Sequence, residues 1–162
     1  VIPPLDPDTG ALPLGRHVAT LSEVQNQFTT TDQRNDLWKK FLTVTGMFLG
    51  EGSVCAVWLS GSYLTSKEMP HDVDAVYWLG RGFDPRTAQR IARYVRDVMH
   101  MPVDCYPFVY EPTKGAGFTP DGYTWYRGYW DDLWCRLRSN DDNEARVSRR
   151  GYVEVIIDGW HS

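Results

Sequence analysis

Two aspartates one residue apart, Asp72 and Asp74, sit in the apolar run DVDAVYWL, and a third, Asp104, interrupts the apolar run VDCYPFVY. Buried strands rarely carry spare carboxylates. Residues i and i+2 of a strand point to the same face. Two anions that close raise each other's pKa unless a cation neutralises them. Mg²⁺ or Mn²⁺ is the natural occupant, because hard divalent ions take carboxylate oxygens. If the strand of Asp104 neighbours that of Asp72 and Asp74, three carboxylates converge. Such a set can hold two ions for in-line phosphoryl displacement. Gly61-Ser62, which closes the preceding apolar run VCAVWLS, supplies the complementary half. A glycine lets backbone approach phosphate oxygens closely, a helical turn starting there would favour an anion, the Ser62 hydroxyl adds a donor, and Lys67 could neutralise the outer phosphates. A lone DxD is a weak signal and most such pairs are solvated turns. The combination with Gly-Ser before it and a third aspartate on a later strand is far more specific.

These residues need strands and helices to position them. The run TLSE at Thr20–Glu23 is a capping box opening a short helix to about Phe28. Leu37, Phe41, Val44 and Phe48 share one face of a longer helix from about Asp32 to Leu49. SVCAVWLSG reads as a strand apolar on both faces, Ser62 to Glu68 as a single helical turn, and DVDAVYWL as a second strand. FDPRTAQRIARYVRDVMHMP is the clearest helix, with Asp84 as N-cap and Pro85 at its first position. Ala88, Ile91, Ala92, Val95, Val98 and Met99 form its apolar stripe. VDCYPFVY is a third strand, with Pro107 placing it at an edge or bulge, and YVEVIID is an alternating last strand. Residues 1–19 read as an extended arm anchored by Ile2, Leu5, Leu12 and Leu14, 35–110 as the core, and 111–162 as an irregular aromatic segment with the final strand. The whole chain reads as one α/β (α+β) domain, residues 1–162, with a mixed sheet and helices packed mainly on one face.

Leu59-Ser60-Gly61-Ser62, Asp72-Val73-Asp74 and Val103-Asp104-Cys105 together resemble the nucleotidyltransferase superfamily related to DNA polymerase β. That family shows an apolar strand, Gly-Ser, a short spacer, an apolar-Asp-x-Asp-apolar strand and a third acid on a later strand. The likeness covers about residues 35–110. The longer stretches IPPLDPDTGALPLGRHVATLSEV, GSYLTSKEMPHDVDAVYW and RGYVEVIID resemble a small uncharacterised family of minimal nucleotidyltransferase-like proteins of bacteria and phages. The resemblance implies a nucleotidyltransferase fold and a metal-dependent transfer of an NMP group from an NTP to a hydroxyl of RNA or protein. It also implies a role in a toxin–antitoxin system or phage–host conflict. Asp72, Asp74 and Asp104 would be the catalytic and metal-binding acids, and Gly61, Ser62 and Lys67 the phosphate contacts. Two departures stand out: antitoxin-type enzymes often place Arg after Gly-Ser, where this chain has Tyr63, and no helical palm or nucleobase-binding domain follows the core. The alternative reading is a catalytically weak nucleotidyltransferase-fold protein that binds a protein partner.

Other chemistries are poorly supplied. His71-Asp72 lacks the further helical histidines of a metal phosphohydrolase. No G-x-S-x-G or phosphate-loop motif occurs, and Cys105 reads as a buried strand thiol rather than a nucleophile. Cys55, Cys105 and Cys135 have no zinc spacing and suit a reducing cytoplasm. The proline-rich start lacks the pattern of a secretory leader, and no apolar run reaches membrane-spanning length. A net charge of −4 excludes a general polyanion field and with it general DNA binding. Any nucleic-acid contact must use a local patch. Arg86, Arg90, Arg93 and Arg96 line one side of a helix, as a solvated face or as a docking strip for RNA or an acidic protein. Arg149 and Arg150 could reach phosphates or lie on the surface. Tyr123, Trp125, Tyr126, Tyr129, Trp130 and Trp134 are dense enough to pack onto the sheet, with one or two left to stack on a base or anchor a partner.

Overall fold

The computed structural model describes residues 1–109 and 150–158. The elements in chain order are β1 (Arg16–Ala19), α1 (Leu21–Phe28), α2 (Asp32–Glu51), β2 (Val54–Ser60), β3 (Val73–Leu79), α3 (Pro85–Asp97), β4 (Val103–Val109) and β5 (Tyr152–Ile156). Helix starts follow from local chemistry. Thr20 Oγ1 accepts from the Glu23 N–H at 3.1 Å while Glu23 Oε2 accepts from the Thr20 N–H at 2.8 Å, the reciprocal capping box. Thr31 caps α2 by accepting from the Arg34 N–H, and Asp84 caps α3 by accepting from the Arg86 N–H, with Pro85 in the first turn.

Among the described residues the strands form one mixed five-stranded sheet in the order β1-β5-β2-β3-β4. β3 and β4, joined through α3, are parallel; β2 runs antiparallel to both β3 and β5; β1 pairs parallel with β5. The architecture is thus mixed α/β, with three helices among the described residues. Strand alternation gives the sheet two faces. Val57, Leu59, Ala75, Tyr77 and Val153 pack with Leu37, Phe41, Val44 and Phe48 of α2 and with Ala88, Ile91 and Val95 of α3. The opposite face carries Ala56, Trp58, Val76, Trp78 and Tyr152, with Phe108 against them. The expected helices on one face are there, and β2 is buried along its full length, as its unbroken apolar run implies. Pro107 lies in β4, the terminal strand of the sheet among the described residues, as its proline suits. Among the described residues no helix is long and apolar enough to cross a membrane.

Four expectations change. The end of the extended arm, Arg16–Ala19, pairs with β5 as a strand. Ile2 and Leu12 are buried anchors while Leu14 is exposed. The turn after Gly61 is a three-residue 3-10 turn, Ser62–Leu64, and no longer helix. Val98 is exposed at the end of α3 and leaves the apolar stripe. Finally, β5 does not alternate between core and solvent. It lies between β1 and β2, so Tyr152 through Val155 are all buried, including Glu154.

Candidate metal and phosphate site

Register brings the acids together. In the parallel pair β3–β4, Asp74 stands opposite Asp104. In the antiparallel pair β2–β3, Ser60 stands opposite Asp74. Ser60, Asp74 and Asp104 therefore form one row across the sheet, on the face away from the helices. Asp72, just ahead of β3, reaches the same place. One carboxylate oxygen from each of Asp72, Asp74 and Asp104 lies within 4.8 Å of the others. Asp72 and Asp74 are half-buried and Asp104 is exposed.

That crowding is electrostatically costly without a cation. Burial, then the charges of Asp72 and Asp104 and the hydrogen bond to the Asp104 carboxyl, push Asp74 up to about 7; the Arg150 guanidinium acts in the opposite direction. Ionised Asp74 therefore calls for a partner charge. The residues present fit a divalent cation on two further grounds. A Cβ built at Gly61 would collide with Asp74 Oδ2, and Gly61 adopts a φ of +87°, so only glycine lets the backbone close over that carboxyl. Ser60 Oγ, on the same row, is buried and has no hydrogen-bond partner among the described residues. A buried hydroxyl left in that state is expected to be satisfied by something the site binds.

The loop from Gly61 to Pro70 is held from behind. Arg34, on the helix side and 4 % exposed, donates to four carbonyls: Phe28 at 3.4 Å, Tyr63 at 2.7 Å, Thr65 at 2.8 Å and Lys67 at 2.5 Å. Gln33 Nε2 donates to the Pro70 carbonyl at 2.5 Å, and the Ser66 N–H donates to the Gly10 carbonyl at 2.8 Å. Tyr63, where an arginine would face phosphate, turns into the core instead. Its ring stacks on Trp38 and lies beneath Arg34, its hydroxyl donates to the Arg34 carbonyl, and burial raises its pKa.

The structure brings Asp72, Asp74, Asp104 and Gly61 into one place. Ser62 is half-buried next to Gly61; its carbonyl closes the turn by accepting from the Thr65 N–H and hydroxyl. The 3-10 turn is too short to supply the helix dipole expected there, so an anion would meet N–H groups and the Ser62 hydroxyl alone. Lys67 is exposed on the loop, and its ammonium makes no ion pair among the described residues. His71 joins no metal-ligating group among the described residues. Burial pushes the Cys105 thiol up to about 11, in keeping with a buried strand thiol. The aromatic residues Tyr123 to Trp134, together with Cys135 and Arg149, lie outside the described residues.

Sequence reasoning missed Arg34 and Ser60. Arg34 has a signal, since it falls three residues before Leu37 on the apolar stripe of α2. Ser60 has none, because only the register with Asp74 gives it a role.

The chain belongs to a family of unknown function, DUF6932, whose model matches residues 3–156. No curated protein and no solved structure matches the chain significantly.

Proposed function

We propose that this member of the DUF6932 family is a nucleotidyltransferase with the fold of the DNA polymerase β superfamily. It moves an NMP group from an NTP to a hydroxyl of RNA or protein, in the cytoplasm, in a toxin–antitoxin or phage–host setting. The observation that carries this reading is the Asp74–Asp104 register, with Asp72 converging on it and Gly61 pressed against Asp74. Asp72, Asp74 and Asp104 would hold Mg²⁺ or Mn²⁺, which supplies charge compensation for the phosphates and a Lewis acid for the reacting oxygens.

The chain's own residues do the rest. Backbone at Gly61 and the Ser62 hydroxyl orient the β- and γ-phosphates, and Lys67 approaches them from the loop. Arg150 already acts on Asp74 and adds positive charge on the β5 side. The acceptor oxygen bonds to the α-phosphorus, the bond to the bridging oxygen breaks and pyrophosphate leaves. The hydroxyl proton passes to the Asp104 carboxylate, the most exposed of the three and so the one an acceptor can reach. Arg34 positions the loop without touching substrate.

Burial of Tyr63 favours a second reading. With no arginine after Gly-Ser, phosphate grip is weaker, and the fold could serve as a nucleotide-binding interaction protein. One experiment separates them. The chain is incubated with each α-³²P-labelled NTP and Mg²⁺, with and without total host RNA and protein. Wild type is expected to label itself or a target, and Asp74→Asn to lose at least about a hundredfold of that signal. Absent labelling, or labelling indifferent to Asp74→Asn, overturns the enzyme. Thermal stabilisation by NTP and Mg²⁺ through Asp74 without labelling supports the binding protein.

A further inference from the structure

A groove of about 290 Å³ runs between α3 and β4. Gln89, Arg93 and Arg96 line it from the helix; Val103, Cys105 and Pro107 of β4 face that side, and the groove rounds the β4 edge to Asp104, Tyr106 and Phe108 on the sheet face away from the helices. One end of the groove is therefore a member of the carboxylate cluster. Asp104, Tyr106 and Phe108 are alternate residues of β4 and share a face, so an aromatic row leads away from the acids. Tyr106 is 40 % exposed, while Phe108 is half-buried against Trp78.

The helix side of the edge is cationic. Arg86, Arg90, Arg93 and Arg96 are all exposed, against a single carboxylate within α3, Asp97. Asp97 pairs with Arg96 at 2.8 Å, both side chains being more than half exposed. Such a pair contributes little and exchanges readily for a phosphate. This strip stands out on a chain of net charge −4, where a local basic patch is a specific feature.

We infer that this groove is the acceptor track and that the acceptor is the 3′ end of a single-stranded RNA. Phosphodiesters lie on Arg93 and Arg96, a base stacks on Tyr106, and the terminal ribose hydroxyl arrives at Asp104. The delivery of that hydroxyl rests on the nucleotidyl-transfer reading; the binding of the strand does not. The 3′ oxygen then bonds to the α-phosphorus as pyrophosphate leaves. An acidic peptide would meet the same guanidinium groups but would leave the aromatic row unused. A chain that alternates phosphate with flat rings uses both.

The test is fluorescence anisotropy of a labelled mixed-sequence RNA of about ten nucleotides, a length within the range such sites cover. The full chain is compared as wild type, Arg93→Glu with Arg96→Glu, Arg93→Ala with Arg96→Ala, and Tyr106→Ala. All the altered groove side chains are exposed, so melting temperatures should match wild type and serve as the folding control. Wild type is expected to bind the strand. The charge-reversed variant should lose at least tenfold and the alanine pair somewhat less. Tyr106→Ala should lose about fivefold or more. With two phosphate contacts, log K should fall with log salt with a slope of about −1.4, and the arginine variants should lose that slope.

The inference is overturned if wild type binds no RNA, if the arginine variants bind as well as wild type, or if an Asp/Glu decapeptide competes better than RNA. Strand binding through Arg93 and Arg96 without nucleotidyl labelling keeps the groove and sinks the transferase. RNA labelling unaffected by the arginine changes does the reverse.

Discussion

Asp74 concentrates the physics of the site. Its carboxyl sits near pH 7 in the fold, against about 3.9 in an unfolded chain. A raised acid contributes stability that is complete below the unfolded value and is lost as pH rises through the folded one. The metal-free chain is therefore expected to lose melting temperature between about pH 4 and pH 7, and Asp74→Asn to flatten that decline. The exposed carboxylates with lowered pKa act in a lower window: Glu23 through the Thr20 N–H, Asp84 through the Arg86 N–H, and Asp97 through the Arg96 side chain. At pH 7.5, Mg²⁺ should stabilise wild type more than Asp74→Asn. Thermal scans of both proteins with and without Mg²⁺ check this; parallel profiles would refute it. The acid trio was readable in the sequence because carboxylates inside apolar runs are conspicuous. The unsatisfied Ser60 was not, since a serine at the end of a strand is ordinary until its cross-strand neighbour is known.

At the scale of elements, the loop between β2 and β3 is decided by a residue of α2. Arg34 binds the carbonyls of Phe28, Tyr63, Thr65 and Lys67 from inside the fold. Arg34→Met would fill similar volume and leave those buried acceptors without a donor. The cost is expected to be about 3 kcal/mol, from lost charge-assisted bonds and stranded carbonyls, as urea unfolding would measure. Nucleotidyl transfer should fall beyond what reduced folding explains, because Gly61 and Ser62 lose their support; unchanged activity per folded molecule would show that the clamp is purely structural. Helix starts were legible from Thr20 and Asp84, whose capping chemistry is local. The extent of the turn after Gly61 was not. It is set by Tyr63 entering the core and by Arg34 capturing carbonyls that a longer helix would have bonded internally.

Across the whole molecule, the N-terminal arm and the last strand complete each other. β1 pairs with β5, and Arg16 joins Glu154 at 3.8 Å while lying over the Trp58 ring, whose indole N–H donates to Glu154 at 2.7 Å. Glu154 is buried, so Arg16→Met strands a carboxylate. A loss of about 1–3 kcal/mol is expected by denaturant titration, whereas Glu154→Gln together with Arg16→Met should recover part of it. No partial recovery would mean that the pair does not act as a unit. By itself the sequence determined the helix caps, the buried two-faced strand and the identity of the three acids. Each depends on contacts within a few residues or on the plain cost of burying charge. Only the tertiary structure decided that Arg16–Ala19 is a strand, that Glu154 faces inward, that Tyr63 turns into the core and that Asp74 meets Asp104 in register. Those outcomes need partners far along the chain, and a strand's register and neighbours are fixed by pairing energies that no single segment contains.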